Sequence, residues 1–404
     1  MAYKKKKSKK KVENKKEPRS YIVFIITIFL ALIAFIYFIE PQEIEEKKVD
    51  EEEIEEKKQK KSFISTWNTS KPGESGKNEI KLPLKSNGVY NFTVDWGDGN
   101  VEKINHLNEA RHTYEEPGKY NVNITGKIIG WSFDNKGDKD KLIEIRQWGP
   151  LKFGNSGGYF HGTENLKITA EDTPSLGGTT DLTNMFARTN IKKIPNISQW
   201  DVSNVKKMDS MFAHTPYFND DLNKWNTSNV KDMSFMFFRA SSFNKPLDKW
   251  DTGKVETMRA MFDGAFFFNQ DISNWDVSNV KDMSHMFDKA GSFNKPLNKW
   301  DTSNLENVRA MFFTAESFDQ DLDKWNTSNV KDMRSMFVGA VSFNGDITTW
   351  DTSNVEDMNF MFRRASSFNQ DLSNWNTENV KTCNGFAERA NRIKDDFKPE
   401  FENC

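Results

Sequence analysis

The residues able to do chemistry in this 404-residue chain are few and scattered. Two Cys and five His lie too far apart in the sequence to suggest a zinc site or a Cys/His nucleophile. No acid or base stands out of register with its neighbours, so paired carboxylate catalysis, and an enzyme, is not expected. No cofactor is expected either. Three features remain. Cys383 and Cys404, the only cysteines, fall within the last 22 residues and predict a disulfide that closes the end of the chain, two free thiols being the alternative. Asp321, Asp346 and Asp371 share one slot in three successive repeats. They form a weak calcium candidate, the alternative being solvated carboxylates that cap turns. Tyr217, Phe238, Phe266, Phe267 and Phe313 stand where other repeats carry small or polar residues. Exposed, they would make a patch for a partner; otherwise they pad a loop.

The element that must position these residues is a repeat. Eight Trp, from Trp200 to Trp375, recur every 25 residues without a slip. A period of 25 is too short for a propeller blade and predicts a solenoid. Within one unit, Val230, Met233, Phe237 and Ala240 are spaced 3, 4, 3, which predicts one face of a short helix. Asn229 and Asp232 read as its N-terminal cap. Phe243, Asn244 and Leu247 then predict a short strand and a turn before Trp250. All the Met but Met1 fall at repeat positions and read as core. Asn219, Asn244, Asn269, Asn294, Asn344 and Asn369 predict a hydrogen-bonded ladder, with Asp319 as its interruption.

Upstream the period changes to two. Tyr90, Phe92, Val94 and Trp96, then Tyr120, Val122 and Ile124, and also Ile80, Leu82 and Leu84, read as half-buried strands of a small β-sandwich. Nearer the N-terminus, Tyr21–Ile39 is a run of 19 residues without a charge. It predicts one uncleaved transmembrane helix, with a cleaved signal peptide as the competing reading. Ten Lys/Arg in residues 1–20 and ten acids in residues 40–61 place the N-terminus in the cytoplasm and the bulk outside. The net charge of −2 and the acidic body argue against nucleic acid as a partner.

Two stretches carry a family likeness. Val94-Asp95-Trp96-Gly97-Asp98-Gly99, with His112-Thr113-Tyr114 and Pro117-Gly118, resembles the PKD domain, which implies an immunoglobulin-like sandwich without catalysis. The repeat, together with the lead-ins Gly137-Asp138-Lys139-Asp140-Lys141 and Gln147-Trp148-Gly149, is similar to the BspA-like leucine-rich repeat surface proteins. That resemblance implies a cell-surface protein, some members being adhesins. The expected fold is a solenoid of 25-residue repeats, each a short helix plus a short strand and leucine-rich-repeat-like, preceded by a small β-sandwich and one transmembrane helix. The expected layout is a basic tail (1–20), a span (21–39), a charged stalk (40–62), a PKD-like sandwich (63–130), a connecting cap (131–180), the repeats (181–392) and a C-terminal cap (393–404). The expected function is a single-pass, membrane-anchored surface binding protein that presents its repeats to an extracellular protein or glycan. A structural envelope spacer and a polysaccharide-active enzyme are the alternatives.

Overall fold

Apolar residues at every second position suit a pleated strand with one buried face, and they decide the first part of the fold. The computed structural model describes residues 62–402 and residue 404. It opens with β1 (Ser62–Asn68), β2 (Glu79–Lys81), β3 (Leu84–Asp95), β4 (Val101–Ile104), β5 (Arg111–Thr113) and β6 (Lys119–Trp131). Three short strands follow, β7 (Leu142–Gln147), β8 (Leu151–Lys152) and β9 (Lys167–Ile168). Seven of the nine form one sheet in the order β4-β3-β6-β1-β7-β9, with β8 on β6, while β2 and β5 pair separately. Phe63, Trp67, Phe92, Val94, Val122 and Ile124 bury the inner face. β6 runs through residue 130, so the sheet continues into the segment expected to connect it to the repeats.

That continuity is locked by a buried ion pair. Asp138 and Lys141 have fully buried side chains, with Lys141 Nζ 3.6 Å from Asp138 Oδ1. Lys141 Nζ also donates to Ser75 Oγ at 2.6 Å and to the carbonyls of Gly76 and Glu79, each at 2.8 Å. Asp138 accepts from the Ser75 hydroxyl at 2.6 Å and from the Lys81 amide at 2.8 Å. Every charge buried here has polar partners, which is what makes such a pair tolerable away from water.

From residue 181 the chain winds into stacked 25-residue coils. Isolated parallel bridges join them at a fixed register: Asp232 to Thr257, Thr257 to Asp282, and so on to Thr382. Between bridges, alternate amides reach the next coil, as Phe235 N to Arg259 O (2.8 Å) and Phe237 N to Met261 O (2.9 Å). The amides between them close tight turns within the coil, as Met236 N to Met233 O (3.3 Å) and Phe238 N to Phe235 O (3.0 Å). Phe237 stacks on Phe262 at 5.6 Å and on Phe243 of its own coil at 4.0 Å. Trp250 stacks on Trp275 at 6.2 Å, and its indole N–H donates 3.0 Å to Leu222 O. Each buried Phe, Met, Val or Leu contributes about 1.5–3 kcal/mol, and no coil can bury its own face without a neighbour.

The expected fold class is corrected on each of its elements. No short helix forms at Val230–Ala240; the described residues contain no α-helix at all, only three-residue 3-10 turns. The reason is backbone handedness. Phe235 and Arg239 have φ of 57° and 56°, and the equivalent residues of the other coils are also left-handed, which no right-handed helix admits. Turns closed by i to i−3 bonds return the chain to the core every three or four residues, so they copy the helical spacing. Asn229 and Asp232 are accordingly not a helix cap: Asn229 donates to Ser203 O of the preceding coil, and Asp232 accepts from Ser234 N. The strand expected near Phe243 is absent, and the strand-like pairing sits instead at Asp232, where the helix was expected. Upstream, the described strands make a seven-stranded sheet with a two-stranded one rather than a free-standing sandwich.

The expected transmembrane helix finds no support. No helix among the described residues is long and apolar enough to cross a membrane. Tyr21–Ile39, on which the span, the membrane contact and the single-pass cell-membrane localisation rested, lies outside the described residues, as does the stalk up to residue 61.

Two expectations about side chains have a clear outcome. The Asn ladder forms from Asn219 to Asn344, each side-chain oxygen accepting the backbone N–H one coil on, as Asn244 N to Asn219 Oδ1 at 2.9 Å. It ends at Asn369, which donates its N–H to Asn344 Oδ1 while its own buried Oδ1 has no partner among the described residues. Asp319 continues it rather than interrupting it, because a carboxylate oxygen accepts equally well: Asn344 N donates to it at 2.8 Å.

Candidate partner-binding surface

Two turns of each coil decide which side chains face water. Counted from the coil's Trp, residues +16 and +17 sit at the tip of a turn between the buried residues +15 and +18. Most coils put Ser, Gly or Glu there. Tyr217, Phe266 and Phe267 occupy these slots and are 53%, 48% and 56% exposed. Phe266 and Phe267 meet edge to face at 5.2 Å, and Lys192 Nζ lies 5.4 Å from the Tyr217 ring centre. Phe266 leans over Gly291 of the next coil, where a Cβ would come within 2.7 Å of the ring. Glycine is what seats that ring.

Phe238 and Phe313 do not join this cluster. At +13 they are half-buried, with a cation over each face: Arg239 at 5.1 Å and Lys289 at 5.3 Å from the ring centres. The five aromatic candidates are therefore two groups, three exposed rings at +16/+17 and two covered rings at +13.

The aspartates of the calcium candidate face turns. Asp321 accepts the Asp346 amide at 2.9 Å, Asp346 accepts Thr348 N and Oγ1, and Asp371 accepts Ser373 N and Oγ. In Asp371 those hydrogen bonds hold the carboxyl below its usual range. The structure does not bring the three together as one ligand set. Instead the grouping with metal-ligand geometry among the described residues is Asp263, His285 and Asp288, whose ligand atoms lie within 4.8 Å of one another. Burial, then the nearby Asp288 carboxylate, pushes Asp263 up to about 6. Lys289 already supplies a positive charge there, 2.9 Å from Asp288. Sequence reasoning missed this group although Asp263 and Asp288 share the +13 slot of adjacent coils, because His285 stands at +10 and only the fold of the turn brings it to them.

At the C-terminus the structure joins Cys383 to Cys404, with Cα atoms 5.8 Å apart. Ile393, Phe397 and Phe401 are spaced by four, as on one face of a helix, but the tail forms only a 3-10 turn at Asp395–Phe397. It runs along the last coil, offering Phe397 O to Leu372 N at 2.8 Å and laying Phe401 against Phe386 at 5.1 Å. Pro399 and the open carbonyl-seeking amides of the last coil favour that extended path.

Charge is also sorted into columns, which the sequence reading passed over. At +6, Lys and Glu alternate from Lys231 to Lys381. They pair across coils: Lys231 with Glu256 at 2.7 Å, Lys281 with Glu306 at 3.5 Å, and Lys381 with Glu356 at 2.5 Å. The arginines of the coils stand elsewhere, at +9, +13 and +14. Near the start of the stack, an open cleft of about 760 Å³ is lined by Lys167, Ile168, Ile191, Lys193, Ile194 and Asp220, among others. Asp220 accepts the Ile194 amide at 2.6 Å, and burial raises its carboxyl.

No curated protein and no solved structure matches the chain. A family model does, that of "Mycoplasma protein of unknown function, DUF285", over residues 180–299 and 289–400. These two stretches span just over half of the chain and almost all of its stacked coils, from the first inter-coil bridge at Asp181 to the tail. On that match the chain belongs to the DUF285 family.

Proposed function

We propose that this chain is a non-catalytic binding protein whose stacked coils present exposed aromatic side chains to a protein or glycan partner. One observation carries the reading. Among the described residues of the coils, the exposed large apolar side chains are Tyr217, Phe266, Phe267 and Val341, and all four stand at +16 or +17. Core packing does not ask for them there, since other coils manage with Ser or Gly. Exposed aromatic side chains on a rigid support suit contact with a partner, because little rotamer freedom is lost on binding. The likeness of the repeat to BspA-like surface proteins, and of residues 63–130 to the PKD domain, supports a binding role as well.

The test is a binding screen of the full chain against a glycan array and a panel of purified matrix proteins. The proposal expects saturable binding to at least one of them. Uniform failure to bind across both panels overturns it.

A further inference from the structure

The arginines of the coils follow a rule of their own. Where the +14 residue is basic, as in Arg239, Lys289, Arg364 and Arg389, the +9 residue of that coil is Ser or Asn. Where +14 is Gly264, Thr314 or Gly339, the +9 residue is Arg259, Arg309 or Arg334. Each of these coils thus carries one cation at one of the two slots and never at both. The slots flank the same turn. Arg259 lies 5.7 Å from the Phe235 ring centre, Phe235 meets Phe238 at 5.8 Å, and Arg239 lies 5.1 Å over Phe238, so they form one continuous strip.

The strip contrasts with the lysines at +6. Lys289 pairs with Asp288 at 2.9 Å and Arg389 with Glu388 at 3.6 Å, but among the described residues no carboxylate is within ion-pair distance of Arg188, Arg239, Arg259, Arg309, Arg334 or Arg364. Holding a cation at +14 also costs stability. Arg188, Arg239, Arg364 and Arg389 have φ of 55–62°, the left-handed region that Gly264 and Gly339 enter freely. A non-glycine residue there gives up about 1 kcal/mol or more, as His214 and Thr314 also do at this slot.

We infer that this arginine strip binds a linear acidic polysaccharide through its carboxylate or sulfate groups. The inference rests on the binding reading above and names a ligand class for a second face. One cation per coil, repeated at the ~4.8 Å step between paired strands, suits a polymer with regularly placed charges. Guanidinium groups pair bidentately with such oxyanions. A single-stranded nucleic acid fits less well. Its bases need free aromatic faces, and here cations cover Phe235, Phe238, Phe313 and Phe360 at 5.1–5.7 Å.

The experiment measures binding of the full chain to heparin, alginate, neutral dextran and poly(dT) at 50 and 200 mM salt. Heparin or alginate should bind, and dextran should not. The variant R259S/R309S/R334S/R364G takes residues that neighbouring coils already carry at those slots. It should bind at least about tenfold more weakly at low salt and flatten the slope of log K against log salt by roughly three. K231S/K281S, which removes two paired lysines of the +6 column, should change binding less than twofold, and F266S/F267S should leave it unchanged, which separates this site from the aromatic one. If the fourfold variant melts early, Arg309→Ser and Arg364→Gly singly should each weaken binding about twofold. Absence of heparin and alginate binding at 50 mM salt overturns the inference. So does an equal loss in K231S/K281S, or tighter binding of poly(dT).

Discussion

The sheet and the coils are held together in opposite ways. In the sheet, one interaction occurs once: Lys141 and Asp138, fully buried, tie the loop at Ser75 to the segment leading into the coils. In the coils most core interactions are copied: an Asn- or Asp-to-backbone bond recurs at each step from Asn219 to Asn369, and a Trp–Trp stack near 6 Å at most steps. The difference teaches where function is to be sought. A part built from unique contacts can tolerate little change anywhere. A part built from copies is over-determined at its repeated positions, so the residues that break the pattern are free to serve a partner.

The largest effect that would sharpen this contrast is at the buried pair. Lys141→Met leaves Asp138 buried without its cation and should destabilise the fold by about 3–5 kcal/mol, read by chemical denaturation. The matching change in the coils, Lys231→Met, breaks an exposed pair and should cost less than about 0.5 kcal/mol. Equal effects would break the comparison.

Next is the end of the stack. Cys404→Ser opens a loop closed across a separation of 21 residues and should remove ~3 kcal/mol by the chain-entropy estimate. Hydrogen exchange should localise the loss to the last coil and tail, because each coil touches only its neighbours. Loss of protection throughout the stack would show that the coils do not act as nearest-neighbour units.

A smaller effect depends on pH. The folded state holds the Asp263 carboxyl at about 6, above its ordinary 3.8. Folding therefore favours its protonated form. That contribution is complete below about pH 4 and is lost as the pH rises through 6. Between pH 7 and pH 5 the native chain should gain ~1 kcal/mol over Asp263→Asn, allowing for screening of a group that is partly exposed. Thermal melts of both proteins at the two pH values read the difference. A gain of equal size in Asp263→Asn would show that burial and Asp288 do not raise this carboxyl.

Much of this was legible in the sequence, and the failures have physical causes. The Trp period marked every coil, and the alternation at Tyr90–Trp96 and Tyr120–Ile124 marked the C-terminal half of β3 and the N-terminal half of β6. The helix was misread because tight turns bring Val230, Met233, Phe237 and Ala240 to the core at the spacing a helix would use. The signal that could have corrected it was residue type: Gly264, Gly339 and Gly385 recur at +14 or +10, where a helix disfavours glycine. The exposed aromatics were visible as departures from the repeat. The Lys–Glu pairs at +6 and the arginines at +9 and +14 were visible only as letters, since which column faces which partner depends on how the coils are stacked.

The central claim is that Phe266 and Phe267 are free of the core and serve a partner. It is tested most directly by measuring melting and binding on the same samples of the full chain and of Phe266→Ser with Phe267→Ser, using whichever glycan or matrix protein the full chain binds. The account predicts a melting temperature within about 2 °C of the native chain, as for surface substitutions outside the core, and binding weaker by at least about tenfold. A variant that unfolds early, or one that binds as tightly as the native chain, would contradict it.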